Sequence, residues 1–102
     1  MKGEDLILLK EVVLADCKPE FAFWMCNGNI ERNVYELLSA IKASDDWVFK
    51  YHVNFDNHKN DFAKWIRDAL GDKILADRLE NILDKNRYIK VIERRIKQLE
   101  LA

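Results

Sequence analysis

Apolar residues recur along most of the chain at intervals of three and four positions, which is the spacing of one face of a helix. Five such stripes lie within residues 34–41, 47–51, 62–69, 74–82 and 89–99. Four of them follow residues that suit a helix N-cap, namely Asn33, Ser44, Asn60 or Asp61, and Asp72. Leu6, Leu9 and Val13 fit the same spacing, but the β-branched residues around them also allow a strand. The pattern predicts about five helices.

One short segment has a different pattern. Residues 21–26 read Phe-Ala-Phe-Trp-Met-Cys and are bounded by turn residues, which is typical of a strand. Asn27-Gly28 follows and favours a type I′ hairpin turn, in which both central residues have positive φ. Residues 29–31 would form the return strand, whereas residues 54–60 are expected to form the longest loop. The predicted fold class is therefore mainly α with minor β, with one small β-hairpin near residues 21–31.

Length and composition indicate a single domain covering residues 1–102. Apolar residues make up 49% of the chain and charged residues 34%, and the formal net charge of −1 gives no overall attraction to nucleic acid or anionic membranes. No apolar run is long enough to span a bilayer, so no membrane partner is expected. The charged start of the chain does not look like a leader peptide. Cys17 and Cys26 are therefore expected to be free thiols in the cytoplasm.

A series of short motifs between residues 20 and 80 carries a family resemblance. They read Phe23-x-x-Cys26-x-Gly28, Glu36-Leu37, Phe49-x-Tyr51-His52-Val53, Asn60-Asp61-Phe62-x-x-Trp65-Ile66-x-Asp68-x-x-Gly71-Asp72 and Leu75-Ala76-x-x-Leu79. In this order they resemble a family of small archaeal and bacterial domains of uncharacterised function. The resemblance implies a shared fold and a cytoplasmic setting, but no chemistry. An amphipathic helix predicted at 86–100 lies outside it.

Both histidines lie near aspartates, and this raises the question of a metal or catalytic site. Five residues separate His52 from His58 and eight separate the two cysteines, and these are not the tight spacings of zinc ligands. Cys26, His52 and Asp56 could be drawn as nucleophile, base and orienting acid. However, no nucleophile elbow or glycine-rich oxyanion loop accompanies them. We expect no metal, no cofactor and no catalytic residue.

The aromatic residues have two interpretations. Three Trp and five Phe are many rings for a domain of this size. They would form an aromatic core, or some of them would line an exposed groove for a peptide or partner helix. Alternation along the first strand places Trp24 on the opposite face from Phe23, so one of these two faces is a candidate for exposure.

The C-terminal helix has an apolar stripe and a basic face. The stripe contains Ile89, Ile92, Ile96 and Leu99, and it would either fold back on the domain or pair with a second copy. Pairing is favoured, because residues 20–80 are expected to fold without this helix. The basic face, with Arg87, Lys90, Arg94 and Lys97, could contact nucleic acid. Acidic residues in the helix-turn-helix-like segment 62–82 argue against that use.

These observations predict a non-enzymatic protein-interaction or adaptor module that self-associates through the C-terminal helix. The alternative is a nucleic-acid-binding domain that uses the basic face of the same helix. The partner is an unknown protein or a second copy of the chain. The candidate interaction residues are Trp24, His52, His58, Arg87, Lys90, Ile92, Arg94, Ile96 and Leu99.

Overall fold

A computed structural model describes the backbone of residues 3–102 and the side chains of residues 6–102. Its helices are α1 Gly3–Val13, α2 Val34–Ala43, α3 Asp46–His52, α4 Asp61–Trp65, α5 Lys73–Leu79 and α6 Lys85–Glu100. Its strands are β1 Phe23–Trp24, β2 Ile30–Glu31, β3 Val53–Asn54 and β4 Lys59–Asn60. The mainly α class with minor β is confirmed, and the segment from Leu6 to Val13 is helical. None of these helices is long and apolar enough to cross a membrane.

The strands form two antiparallel hairpins, β1 with β2 and β3 with β4. The second hairpin was not predicted, because the segment 54–60 contains too few apolar residues to be recognised as a strand pair. Val53 pairs with Asn60 and Asn54 with Lys59, so the ladder is only two residue pairs long. His58, at the end of its turn, has a φ of 51°.

The turn of the first hairpin differs from the predicted one. Gly28 has the expected positive φ, at 95°, but Asn27 does not share it. The Gly28 N–H donates to the Met25 carbonyl at 3.0 Å, and the Met25 N–H donates to the Asn29 carbonyl at 2.8 Å. The loop therefore contains three residues, 26–28, and only its last residue needs the left-handed conformation that glycine accepts readily. The prediction of a two-residue type I′ turn was wrong.

Most of the predicted helix starts are confirmed by side-chain hydrogen bonds. The N-cap side chains of Asn33, Asn60 and Asp72 accept from backbone N–H groups at 2.8, 3.3 and 3.2 Å, respectively. Ser44 was wrongly predicted to start α3. Its hydroxyl donates to the Ile41 carbonyl at 2.8 Å, so it ends α2, and Asp45 takes the N-cap position.

The chain continues from α4 through a wider π-helical turn, Ile66–Leu70. Gly71 then adopts a φ of 79° and ends the helix. Trp65 is largely buried, and its indole N–H donates to the Phe21 carbonyl at 2.7 Å. This bond fixes the segment before β1 against α4.

The C-terminal helix α6 packs against α1, α2 and α5. Ile92, Ile96 and Leu99 are all buried in this contact, together with Tyr88. The stripe is therefore covered by the chain's own helices. The favoured prediction, that these residues pair with a second copy, was wrong, because their surface is already used inside the domain.

A buried ion pair joins α6 to the start of α5. Arg95 and Asp72 are 1% and 0% exposed, and the guanidinium donates to both carboxylate oxygens, from Nε at 2.8 Å and from Nη2 at 3.0 Å. The remaining guanidinium nitrogen, Nη1, donates to Gln98 Oε1 at 2.8 Å. Since Asp72 also caps α5, one carboxylate starts this helix and holds it against α6.

The buried position of Ile92 predicts that Ile92→Asp unfolds the protein instead of dissociating a dimer. An unpaired carboxylate in the core should cost more than about 4 kcal/mol. Ile74→Asp is the matched control. Ile74 belongs to the apolar stripe that the sequence showed at residues 74–82, but it is 46% exposed in the structure. We expect it to change stability by roughly 0.5 kcal/mol. Chemical denaturation measures both. A folded Ile92→Asp protein of reduced oligomeric state would contradict this prediction.

The geometry of the buried pair predicts strong coupling between Asp72 and Arg95. Arg95→Met or Asp72→Asn alone should destabilise the fold by about 3–5 kcal/mol, because each leaves one buried charge without its partner. The double variant removes both charges and keeps an oxygen for the α5 cap, so it should be more stable than either single variant. A double-mutant cycle from denaturation curves measures the coupling. Additive losses would show that the two charges do not depend on each other.

Candidate functional site

An open groove lies between the segment before β1 and the helix that contains Trp65. We call it the aromatic groove. It has a volume of about 400 Å³ and is lined by Phe21, Phe23, Asp61, Lys64, Trp65, Asp68 and Ala69. Three of these residues are aromatic, and the three charged ones belong to α4 and the π-helical turn. Such a concave, mainly apolar surface with a few polar groups is typical of a binding site.

The aromatic wall is held in place by contacts behind it. The Phe23 ring lies edge-on to Trp65, with centroids 5.7 Å apart, and is 5.3 Å from the buried Phe62 ring. Trp24, the next residue of β1, is 71% exposed, as one of the two predicted face assignments required. The candidate interaction residue Trp24 therefore does lie on the surface, beside Phe23 in sequence.

His52 lies behind this groove in a buried hydrogen-bond cluster. Its Nδ1 is 2.8 Å from Asp61 Oδ2, and its Nε2 accepts from the Cys26 backbone N–H at 3.0 Å. Lys59 Nζ donates to the same Asp61 oxygen at 2.8 Å and to the Tyr51 carbonyl at 3.0 Å. These partners assign the neutral tautomer with the proton on Nδ1. Both ring nitrogens of His52 are thus engaged.

The charge states in this cluster follow from its contacts. Burial lowers the pKa of His52, and the hydrogen bond and charge of Asp61 offset this only in part. For Asp61, burial favours the neutral acid, but hydrogen bonds from Lys59 and His52 together outweigh it and lower its pKa. A neutral imidazole therefore bridges an ionised carboxylate and the first hairpin.

The nucleophile–base–acid arrangement drawn from the sequence does not match this geometry. The acid that contacts His52 is Asp61, not Asp56, and Cys26 reaches the imidazole through its main chain. His58 is exposed in the turn of the second hairpin, next to the Phe55 ring, and is not brought to His52 in this cluster. Among the side chains of residues 6–102, no three from His, Cys, Asp or Glu are placed to hold a metal ion.

The other candidate residues separate into two environments. Ile92, Ile96 and Leu99 are in the core, as described above, whereas Arg87, Lys90 and Arg94 are exposed on α6. The three basic residues line a second depression, together with Arg78, Ile82 and Val91. We call it the α5–α6 groove. It has a volume of about 510 Å³.

Glu31 is a buried titratable residue that sequence reasoning missed. Its side chain is 2% exposed, and Oε1 has no hydrogen-bond partner among the residues that the structure describes. Burial, with a smaller contribution from Glu36, raises the pKa of Glu31 to about 7. The neighbouring Ile30 faces outward instead. Apolar–polar alternation along β2 would have assigned the two faces the other way, so the sequence contains no signal for this burial.

The chain was compared with known proteins. The model of a family of unknown function, DUF5752, matches residues 45–101. This is more than half of the chain, so the protein belongs to that family. The matched region contains α6, the buried Asp72–Arg95 pair and the whole α5–α6 groove. The first hairpin lies outside it, and with it one wall of the aromatic groove. No curated protein and no solved structure matches the chain.

The raised pKa of Glu31 predicts a specific pH dependence. The folded state binds the Glu31 proton more tightly than the unfolded state does. The stability that this proton contributes is therefore complete below pH 4.5, the pKa of the unfolded state, and is lost as the pH rises through about 7. Glu31→Gln should therefore be more stable than the wild type above pH 7, by about 1–3 kcal/mol, with little difference below pH 4.5.

Denaturation of the wild type and the Glu31→Gln variant across this pH range tests the prediction. The lowered pKa of His52 makes stability rise with pH, but this contribution is the same in both proteins and cancels in the difference between them. Glu20→Gln, at an exposed position, is the control and should not alter the pH profile. A pH-independent difference between Glu31→Gln and the wild type would contradict the assignment.

Proposed function

We propose that this DUF5752 protein is a non-enzymatic protein-interaction module whose partner inserts an apolar side chain into the aromatic groove. The observation that carries the proposal is the open, mainly apolar depression itself, in which Phe21 is 54% exposed. The proposed interaction surface is therefore the face formed by the first hairpin and α4. It differs from the surface predicted from the sequence, which was the C-terminal helix.

The groove is preformed, and this favours binding. Its wall is fixed by the bond from the Trp65 indole to the Phe21 carbonyl and by the ring contacts of Phe23. Side chains that are already ordered lose little conformational entropy when a partner arrives. Aromatic residues are enriched in protein interfaces, so the exposed ring of Phe21 in the groove is suited to contact the partner.

The charged residues of the groove are suited to a polar rim. Lys64 and Asp68 form an exposed i,i+4 ion pair at 3.5 Å, and Asp61 is held by His52 and Lys59. An apolar centre with polar groups around it is the usual anatomy of a protein–protein interface. The partner we propose therefore presents an apolar anchor flanked by polar residues.

The proposal that the module is not an enzyme is supported by the state of His52. A general base needs a ring nitrogen that can reach a substrate proton, and both nitrogens of His52 are bonded within the protein. We place the protein in the cytoplasm, since free thiols at Cys17 and Cys26 suit a reducing compartment. Nucleic-acid binding, the alternative, would use a different surface, the basic face of α6.

Phe21→Ser tests the proposal, because Phe21 lines the groove and the change keeps the main-chain carbonyl that binds Trp65. Proteins that bind the full chain would be captured from an extract of its natural host, identified and purified. The affinity of one such partner would then be measured by calorimetry. If the Phe21 ring contacts the partner, the dissociation constant of the variant should rise at least about tenfold, since an anchoring aromatic residue contributes about 2 kcal/mol or more.

Phe55→Ser is the matched control, because Phe55 is 70% exposed in the turn of the second hairpin, outside the residues that line the groove. This variant should bind the partner as tightly as the wild type does. Neither change should destabilise the fold, and thermal unfolding checks this point. Wild-type affinity of Phe21→Ser, or an equal loss in both variants, would overturn the proposed surface.

A further inference from the structure

Three exposed cations of α6 lie in a row along one side of the helix. Arg87, Lys90 and Arg94 are spaced by three and four residues, so they follow one another along one side of the helix. Arg78 of α5 adds a fourth cation on the other side of the depression. Seven residues of helix correspond to about 10 Å, so the cations of α6 form a short basic row.

The acidic residues of the same two helices are engaged elsewhere. Glu93 pairs with Lys42 at 3.1 Å, and Glu100 accepts from the Tyr35 hydroxyl at 2.7 Å. On α5, Asp77 pairs with Lys73 at 2.8 Å. Glu80, after its last turn, pairs with Arg67 at 3.1 Å. No acidic side chain is among the residues that line the α5–α6 groove.

The basic row consequently has little compensation inside the protein. Among the side chains of residues 6–102, Arg87, Lys90 and Arg94 take part in no ion pair. Asp84, the acid nearest to Arg87 in the sequence, uses its carboxylate to cap α6 at the Arg87 N–H. Like charges three and four residues apart on a helix repel each other, so a bound anion would relieve a cost that the free protein bears.

The shape of the groove favours a small ligand. Its volume of about 510 Å³ is within the range of small-molecule sites, and Ile82 and Val91 give it an apolar part. Gln98 accepts from Arg78 at 3.3 Å and from the buried Arg95, which holds the Arg78 guanidinium in place. Planar guanidinium groups match the geometry of phosphate oxygens.

We infer that the α5–α6 groove binds a small organic phosphate. The phosphate groups contact Arg87, Lys90, Arg94 and Arg78, and the apolar or planar part of the ligand lies on Ile82 and Val91. A long nucleic acid fits less well, because strong backbone binding needs an extended basic surface. The chain has a net charge of −1, and two acids lie near the groove, Asp77 on α5 and Glu80 directly after it.

ADP and inorganic pyrophosphate are suitable probes, since they share a diphosphate and only ADP has a planar base. Each would be titrated into the full chain and followed by calorimetry and by amide chemical shifts. We expect ADP to bind more tightly than pyrophosphate, with shift changes centred on residues 78–94. Arg94→Gln combined with Lys90→Gln should weaken ADP binding at least about tenfold, as both side chains lose a charged contact.

Lys97→Gln is the matched control, because it removes one exposed positive charge from the same helix without changing the residues that line the groove. It should bind ADP like the wild type. The inference is overturned if ADP does not bind at millimolar concentration, if it binds no better than pyrophosphate, or if Lys97→Gln weakens it as much as the double variant does. It is also overturned if a short DNA duplex binds more tightly than ADP at physiological salt.

Discussion

The ion pair between Asp72 and Arg95 is the constraint on which the C-terminal half of the structure depends. Two fully buried charges are tolerable only if each finds its partner with good geometry, because misalignment would leave a desolvated charge unpaired. Asp72 follows directly after Gly71, where the chain turns, and Arg95 lies well inside α6. The pair therefore fixes where α6 sits along α5, and with it the positions of Arg78 and Arg94 across the α5–α6 groove.

His52 has a comparable role in the other half of the molecule. The imidazole receives the Cys26 N–H and donates to Asp61, so it connects the first hairpin with the start of α4. The aromatic groove is formed by these same two segments. The histidine that looked like a chemical candidate in the sequence thus positions a surface without forming part of it, and its lowered pKa keeps it in the neutral form that this bonding requires.

Local features of the fold could be predicted from the sequence, whereas features that depend on distant partners could not. The caps at Asn33, Asn60 and Asp72 were recognisable because a cap involves only the next three residues. Ser44 was misassigned because the end of one helix and the start of the next offer it competing bonds. Arg95 looked like one more cation of the basic C-terminal segment, since its partner lies 23 positions earlier. The sequence left open whether the Phe23 face or the Trp24 face of β1 is exposed. Only the packing of β1 against α4 shows that it is the Trp24 face.

The same distinction explains why net charge is a poor guide to what this protein binds. A chain with a formal charge of −1 should have no preference for anions, but the charge that a ligand meets depends on which side chains are already paired. Asp72 neutralises Arg95 in the interior, and Lys42 neutralises Glu93 on the surface of α6. The cations of α6 that form no ion pair with the side chains of residues 6–102 produce a local positive field, although the net charge of the chain is close to zero. In a small protein with balanced charge, candidate binding surfaces can therefore be found by assigning the ion pairs first and then locating the charged side chains that form none.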